Sequence, residues 1–234
     1  MRVLIADIVN GGFTAGSFLP READIAADFR VSRGVARECV RGLEERGLVE
    51  VKHGHGATVC DSDRWDVLDP EVLAGLLAGD LGAQILGEYL ECRRILEIEA
   101  AGLAAERATE ADLSALSDAF ARMSMGAERL RTNPAAEDLY HEADVAFHRA
   151  LIAATGNRAL GNMTEPVHWA LAAARRPLAR PEHRFDCALP EHRRIMVAIA
   201  SSDPAEARAA MSAHLDTVES YLREYADAAA RRGE

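Results

Sequence analysis

Between Arg21 and Val59 the chain carries two helix signatures and a hairpin signature back to back, and few small folds accommodate that order. A helix is expected from Arg21-Glu22, just after Pro20, to Phe29, with Ile25, Ala26 and Phe29 at helical spacing. Ser32 is a good N-cap for the next helix, whose apolar stripe Val35, Ala36, Val40 and Leu43 ends at Gly47. Leu48 to Val51 and Ala57 to Val59 are short β-like runs joined by His53-Gly54-His55-Gly56, a hairpin pattern. With an earlier amphipathic stretch, Val3 to Val9, stopped at Asn10-Gly11-Gly12, these pieces make a winged helix-turn-helix.

Beyond the polar segment DSDRWDVLDP only helical patterns follow: Val72 to Leu77, Gln84 to Ala105, Ala111 to Met123, Ala135 to Ala154, Arg158 to Arg175, Leu189 to Ser201 and Pro204 to Ala229. Breaks are expected at Gly126, Asn133-Pro134, Gly156-Asn157, 176–187 and Asp203-Pro204, where Asp is an N-cap and Pro takes the first helical position. The fold class is therefore mainly α: an N-terminal winged helix-turn-helix (α plus a small β-hairpin), then an all-α helical-bundle domain. The expected boundaries are 1–61 for the first domain, 62–71 for a linker in which Trp65 and Leu68 dock on a neighbour, and 72–230 for the second. The four cysteines are far apart, no Cys-x-x-Cys pair occurs and no run is long and apolar enough for a membrane span, which predicts a reduced cytoplasmic protein without a membrane partner.

The formal charge of −11 argues at first against a nucleic-acid partner. Its distribution says otherwise. Residues 1–60 hold eight basic and eight acidic side chains, so the whole surplus of negative charge lies after Cys60. Within that neutral segment Arg33, Arg37 and Arg41 are four residues apart and share one helix face, opposite the apolar stripe. Arginine grips guanine edges or phosphates, and Ser32 with the amides at the helix start can hold a phosphate. A solvated face whose arginines pair with Glu38, Glu44 and Glu45 is the alternative for a lone helix. The hairpin beyond, with Lys52, His53 and two glycines, favours DNA.

The segment GGFTAGSFLPREADIAADFRVSRGVARECVRGLEERGLVEVKHGHGATV resembles the N-terminal domain of the GntR family of bacterial transcription regulators, through its G-x-x-x-x-G-x-x-L-P-x-E, V-S-R and G-L-V elements. The resemblance implies that Ser32, Arg33 and Arg37 contact operator DNA and that His53 and Gly54 sit at the wing tip. Where the family often has a basic residue after the Glu of L-P-x-E, this chain has Ala23, with Arg21 upstream as a substitute, and Gly34 replaces a bulkier reader. Arg21, Ser32, Arg33, Arg37, Arg41, His53 and Gly54 are the DNA-binding candidates.

Six of the eight histidines follow residue 140. Asp144 and His148 stand one helical turn apart and can chelate one ion, and His192 and His214 fall on the two last helices. Three imidazoles and a carboxylate suit zinc first, nickel or manganese next, with positions open for water or a ligand carboxylate. Taken singly, each histidine reads as an ordinary core or surface residue. Residues 72–228 resemble the FCD effector domain of the FadR-type branch of GntR regulators, whose Asp-x-x-x-His motif matches Asp144 and His148 and whose later ligands match His192 and His214. His141, His168 and His183 are left as ordinary histidines. Arg93 matches a family arginine lining the effector cavity and is the candidate for pairing with a carboxylate; a simple ion pair of Arg93 or Arg94 with Glu97 is weighed equally. RWDVLDPEVL resembles regulators of sugar-acid use in the galactonate-responsive branch, which implies a hexonate or related acid as effector.

The expected protein is a homodimeric repressor on a palindromic operator, released by a carboxylate effector at a metal site. The rival is a metal-dependent hydrolase or lyase using the Asp/His3 set. It lacks a placed general base, a Gly-rich phosphate loop and a nucleophile motif, so an enzyme is not expected. A purely structural metal is a further alternative.

Overall fold

A computed structural model describes residues 1–52, 55–133, 136–175 and 184–230 of the 234-residue chain. The chain forms two compact units, Met1–Leu86 and Gly87–Glu234. The first holds α1 (Arg2–Val9), α2 (Glu22–Asp28), α3 (Arg33–Glu45), β1 (Val49–Lys52), β2 (Gly56–Val59) and α4 (Pro70–Leu77). Leu4, Ile5, Ile8, Ile25, Val40, Leu43, Leu48 and Val59 form its core. Val35, placed by its spacing in the apolar stripe, is instead 55% exposed. It lies in the first turn of α3, next to the fully buried Ala36.

The elements start and stop for local reasons. Ser32 Oγ accepts from Val35 N at 3.3 Å and caps α3. Arg30 makes the turn between α2 and α3 in the left-handed region at φ 53°. Gly47 ends α3 at φ +69°, and a Cβ there would lie 2.0 Å from the Arg64 carbonyl oxygen, so only glycine fits. β1 and β2 pair antiparallel with Val49 opposite Val59. Residues 17–19 run beside β2, through Leu19 N to Ala57 O and Val59 N to Ser17 O.

The first unit extends past the expected 1–61. Residues of the expected linker are pinned to it: Trp65 Nε1 donates to Cys60 O, and Asp66 N donates to Arg46 O. Asp69 caps α4 at the amides of Glu71 and Val72, with Pro70 in the first turn. Arg46, at the end of α3, forms ion pairs with Asp69 at 3.1 Å and Glu71 at 3.4 Å. α4 then buries Val72 and Leu76 in the first core, with Gly75 close against Ile5 and Val9 of α1. Leu68, expected to dock, is 50% exposed.

The described residues of the second unit form helices joined by short turns. It contains most of α5 (Gly82–Arg107), then α6 (Glu110–Leu130), α7 (Glu137–Ala154), α8 (Arg158–Arg175), α9 (Arg184–Ala200) and α10 (Pro204–Ala230). Thr109 and Asp112 form a capping box at α6, and Asp203 accepts from Glu206 N at the start of α10. The core joins Ala100, Ala101 and Ala104 of α5, Leu116 and Met123 of α6, Phe147 and Leu151 of α7, Ile195 of α9 and Met211 and Leu215 of α10. The break expected at Gly126 does not occur, and α6 continues to Leu130. The missing side chain lets α6 approach α7: a Cβ at Gly126 would lie 2.8 Å from the Tyr140 Cα. Tyr140 stands one turn before Asp144, so this contact sets the depth at which α7 presents its ligand candidates.

Candidate functional site

In the first unit, α3 presents Arg33, Arg37 and Arg41 as exposed side chains opposite the buried Ala36, Val40 and Leu43. Arg37 pairs with Glu22 of α2 at 3.4 Å and Arg41 with Glu45 at 3.1 Å. Exposed pairs of this kind contribute about 0–1 kcal/mol, so they do not withhold the arginines from a phosphate or a base edge. Of the pairings expected for a solvated face, only Arg41 with Glu45 forms. Glu44 instead accepts from Val51 N and ties α3 to the hairpin. Arg21 is exposed at the N-cap position of α2. The wing candidates His53 and Gly54 lie outside the described residues.

In the second unit five helices bring seven buried polar side chains together: Arg93 and Glu97 of α5, Asp144 and His148 of α7, His168 of α8, His192 of α9 and His214 of α10. The candidate ligand nitrogens of His148, His192 and His214 all lie within 4.8 Å of one another. Asp144 Oδ1 is 3.1 Å from His192 Nε2 and 4.0 Å from His148 Nε2. His183 lies outside the described residues. His141 stands 3.4 Å from Glu137 on its own helix.

Hydrogen-bond partners constrain which imidazole nitrogens carry protons. The Ala188 carbonyl oxygen, 2.7 Å from His192 Nδ1, can only accept, so Nδ1 carries a proton and the ring turns its Nε2 into the cluster. His214 Nδ1 faces Glu191 Oε2 at 3.0 Å, and its buried Nε2 has no hydrogen-bond partner. Arg93 Nη2 can only donate, so His148 Nε2, 3.0 Å away, accepts. The Nδ1 proton of His148 then faces Glu97 Oε2 at 2.9 Å, out of line for a good hydrogen bond. Three Nε2 atoms and a carboxylate oxygen converge, with the His148 and His192 Nε2 atoms 3.3 Å apart. Such a set suits a divalent cation, and the oxygen behind each Nδ1 is the usual support of a metal-binding histidine.

Burial, opposed by the Glu97 charge, pushes His148 down to about 4. Burial, joined by the neighbouring His192, holds His214 well below the usual imidazole range. Both rings are thus neutral near pH 7, as metal ligation requires. Burial alone would raise Glu97, but the Arg93 charge and its histidine neighbours outweigh it and hold the carboxyl well below its ordinary value.

Arg93 and Arg94 resolve differently. Arg94 pairs with Asp216 of α10 at 2.6 Å, near the surface. Arg93 is 1% exposed, and its Nε pairs with Glu97 Oε1 at 2.9 Å while its Nη2 reaches His148. Its Nη1 is buried without a hydrogen-bond partner. The simple Arg93–Glu97 pair and the placement at the cluster are therefore both present. His168, passed over in the sequence, holds Glu97 Oε1 at 2.7 Å. No spacing signal joins α5 to α8.

Residues 2–59 match the model of the bacterial regulatory proteins of the gntR family, and residues 88–217 match that of the FCD domain. The chain belongs to the GntR family. It is 34% identical over 223 residues to the HTH-type transcriptional regulator LutR of Bacillus subtilis, covering 93% of this chain and 97% of that one. To the galactonate operon transcriptional repressor of Escherichia coli it is 32% identical over 157 residues, 67% of this chain and 66% of that one. Among solved structures, a Streptococcus agalactiae GntR aligns at TM-score 0.51 and 25% identity, over 96% of this chain and 100% of that one. The Listeria monocytogenes regulator Lar shares the fold at TM-score 0.67 and 18% identity, over 95% and 94% of the two chains. This GntR protein is thus a DNA-binding transcription regulator with an FCD effector domain, not an enzyme, and the hydrolase or lyase reading is set aside. Among the described residues no helix is long and apolar enough to cross a membrane.

Proposed function

We propose that this regulator is a homodimeric repressor whose two winged units hold a palindromic operator. A carboxylate effector, bound where Asp144, His148, His192 and His214 hold a divalent ion, releases it. The observation that carries this reading is the orphaned Arg93 Nη1, a buried charged donor 1% exposed as a residue, beside a cluster of converging ring nitrogens. An unpaired buried donor of this kind is costly unless an acceptor arrives, and a carboxylate offers two oxygens to a guanidinium. A divalent ion at the cluster supplies positive charge and open positions for an oxygen ligand, with zinc the first choice for three imidazoles and nickel or manganese next.

The chain's own groups do the rest. His148, His192 and His214 present ring nitrogens, Asp144 supplies negative charge, and Arg93 fixes the direction of an incoming acid. The similar repressor named for the galactonate operon favours a hexonate or related hydroxy acid. Regulation requires that the effector prefer one domain arrangement over the other. In the first unit Arg33 and Arg37 face the major groove, with Arg21, Ser32 and Arg41 on the flanking backbone. The test is retention of DNA from the gene's own promoter region by the purified protein. Retention that weakens steeply with salt, together with about one divalent ion per chain, is expected. Protein that fails to retain this DNA at low salt contradicts the operator half, and metal-free protein contradicts the site.

A further inference from the structure

His168 belongs to none of the ligand positions, yet it is 4% exposed and reaches the cluster from a fifth helix. Its Nε2 lies 2.7 Å from Glu97 Oε1, an oxygen that already accepts from Arg93 Nε at 2.9 Å. An oxygen accepting from a guanidinium accepts a second time, so His168 Nε2 carries a proton and donates. The other Glu97 oxygen backs His148 Nδ1. The order is therefore His168, Glu97, His148, with the last ring's lone pair turned into the cluster.

We propose that His168 is a positioning residue: it holds the Glu97 carboxylate behind His148 and so frees Arg93 to turn toward an incoming carboxylate. This deepens the metal-and-effector reading and rests on it. With only Arg93 and the misaligned His148 Nδ1 to hold it, Glu97 would be left a buried carboxylate without a well-aligned donor whenever the guanidinium moved to a ligand, and that cost would oppose ligand binding. His168 removes the conflict by supplying a donor from α8. Supports of this kind behind a metal-bound histidine typically affect affinity by about 10–100-fold.

The experiment uses the full chain and zinc alone, by competition with a chromophoric chelator at pH 7.5, for wild type, His168→Leu and His168→Gln, with thermal melts in parallel. His168→Leu, which cannot donate, is expected to weaken zinc binding by about 10–100-fold. His168→Gln, whose amide can donate to Glu97, should restore affinity to within about 3-fold, irrespective of either variant's melting temperature. Long-range proton–nitrogen spectra of zinc-loaded wild type should place the His168 proton on Nε2, a result that stands if the leucine variant does not fold. Wild-type affinity in His168→Leu, an equal loss in both variants, or a His168 proton on Nδ1 alone overturns the proposal. Wild-type protein that binds no zinc overturns it together with the metal reading, and is distinguished because the loss is then present before any substitution at His168.

Discussion

The Nε2 atoms of His148 and His192 stand 3.3 Å apart, and each ring has its Nδ1 turned to an oxygen behind it. Ring nitrogens held this close, with Asp144 Oδ1 3.1 Å from the second, form a pocket suited to a positive charge. That charge comes from the Arg93 guanidinium on one side and, in the proposed working state, from a divalent ion.

Removing two ligands should empty the site without unfolding the reader. Asp144→Ala combined with His148→Ala is expected to lower divalent-metal content to background by elemental mass spectrometry and to abolish any effector response. DNA retention in the absence of effector should persist, because neither residue lies in the unit Met1–Leu86. Unchanged metal content would refute the ligand assignment.

Acid should destabilise the metal-free protein before ordinary carboxylates titrate. His148 takes up a proton near 6.5 when unfolded but only at about 4 when folded. The unfolded state therefore binds more protons across that interval, and stability falls as pH drops through it. A gap of about 2.5 pH units corresponds to about 3 kcal/mol from this one fully buried ring. Glu97, held low, adds a loss of the same sign below its ordinary range. Urea denaturation at pH 7.5, 6 and 5 should show the midpoint falling, with a shallower fall in His148→Gln; equal midpoints at all three pH values would contradict the burial account.

On α3, Arg33→Ala and Arg37→Ala should each weaken specific DNA binding by about 10–100-fold where the arginine reads a base, and reduce the salt slope by about 1 where it holds a phosphate. Arg149→Ala, on an exposed side chain of α7 in the other unit, should change neither. Fluorescence anisotropy at several salt concentrations separates the cases. A wild-type isotherm for both α3 variants would remove this face from the interface.

Two glycines are expected to resist substitution for different reasons. Gly47→Ala combines a positive φ with a clash against the Arg64 carbonyl and should cost at least about 2 kcal/mol. Gly126→Ala should cost about 1–3 kcal/mol by forcing α6 from α7 at Tyr140. Only Gly126→Ala should also weaken metal binding, because α7 carries Asp144 and His148. Calorimetry with metal titration distinguishes the two, and a stable Gly126→Ala variant with unaltered metal affinity would show that this contact does not set the site.

The winged unit was legible because its signals are local: the Ser32 cap, the arginine spacing and the hairpin glycines each act within a few residues. The ligand candidates Asp144 and His148 were legible for the same reason, one turn apart on α7. What escaped the sequence was long-range. The short apolar run 72–77 fits many partners, and only the placement of Arg46 near Asp69 and Glu71 reveals that α4 closes on the first core. Gly126 resembled a helix stop, whereas its role is close packing. His168 meets Glu97 from 71 residues away, a distance at which no periodicity speaks.

The central claim is that metal site and DNA reader are coupled. Its most direct test is the affinity of metal-loaded protein for its promoter DNA, measured by anisotropy with and without a saturating hexonate such as galactonate, for wild type and for Arg93→Gln. Wild type is expected to lose at least about 10-fold in DNA affinity, within the usual range of allosteric coupling. Arg93→Gln is expected to retain its DNA affinity under both conditions. Wild-type affinity unchanged across a panel of hydroxy acids, or an equal loss in Arg93→Gln, would contradict the account.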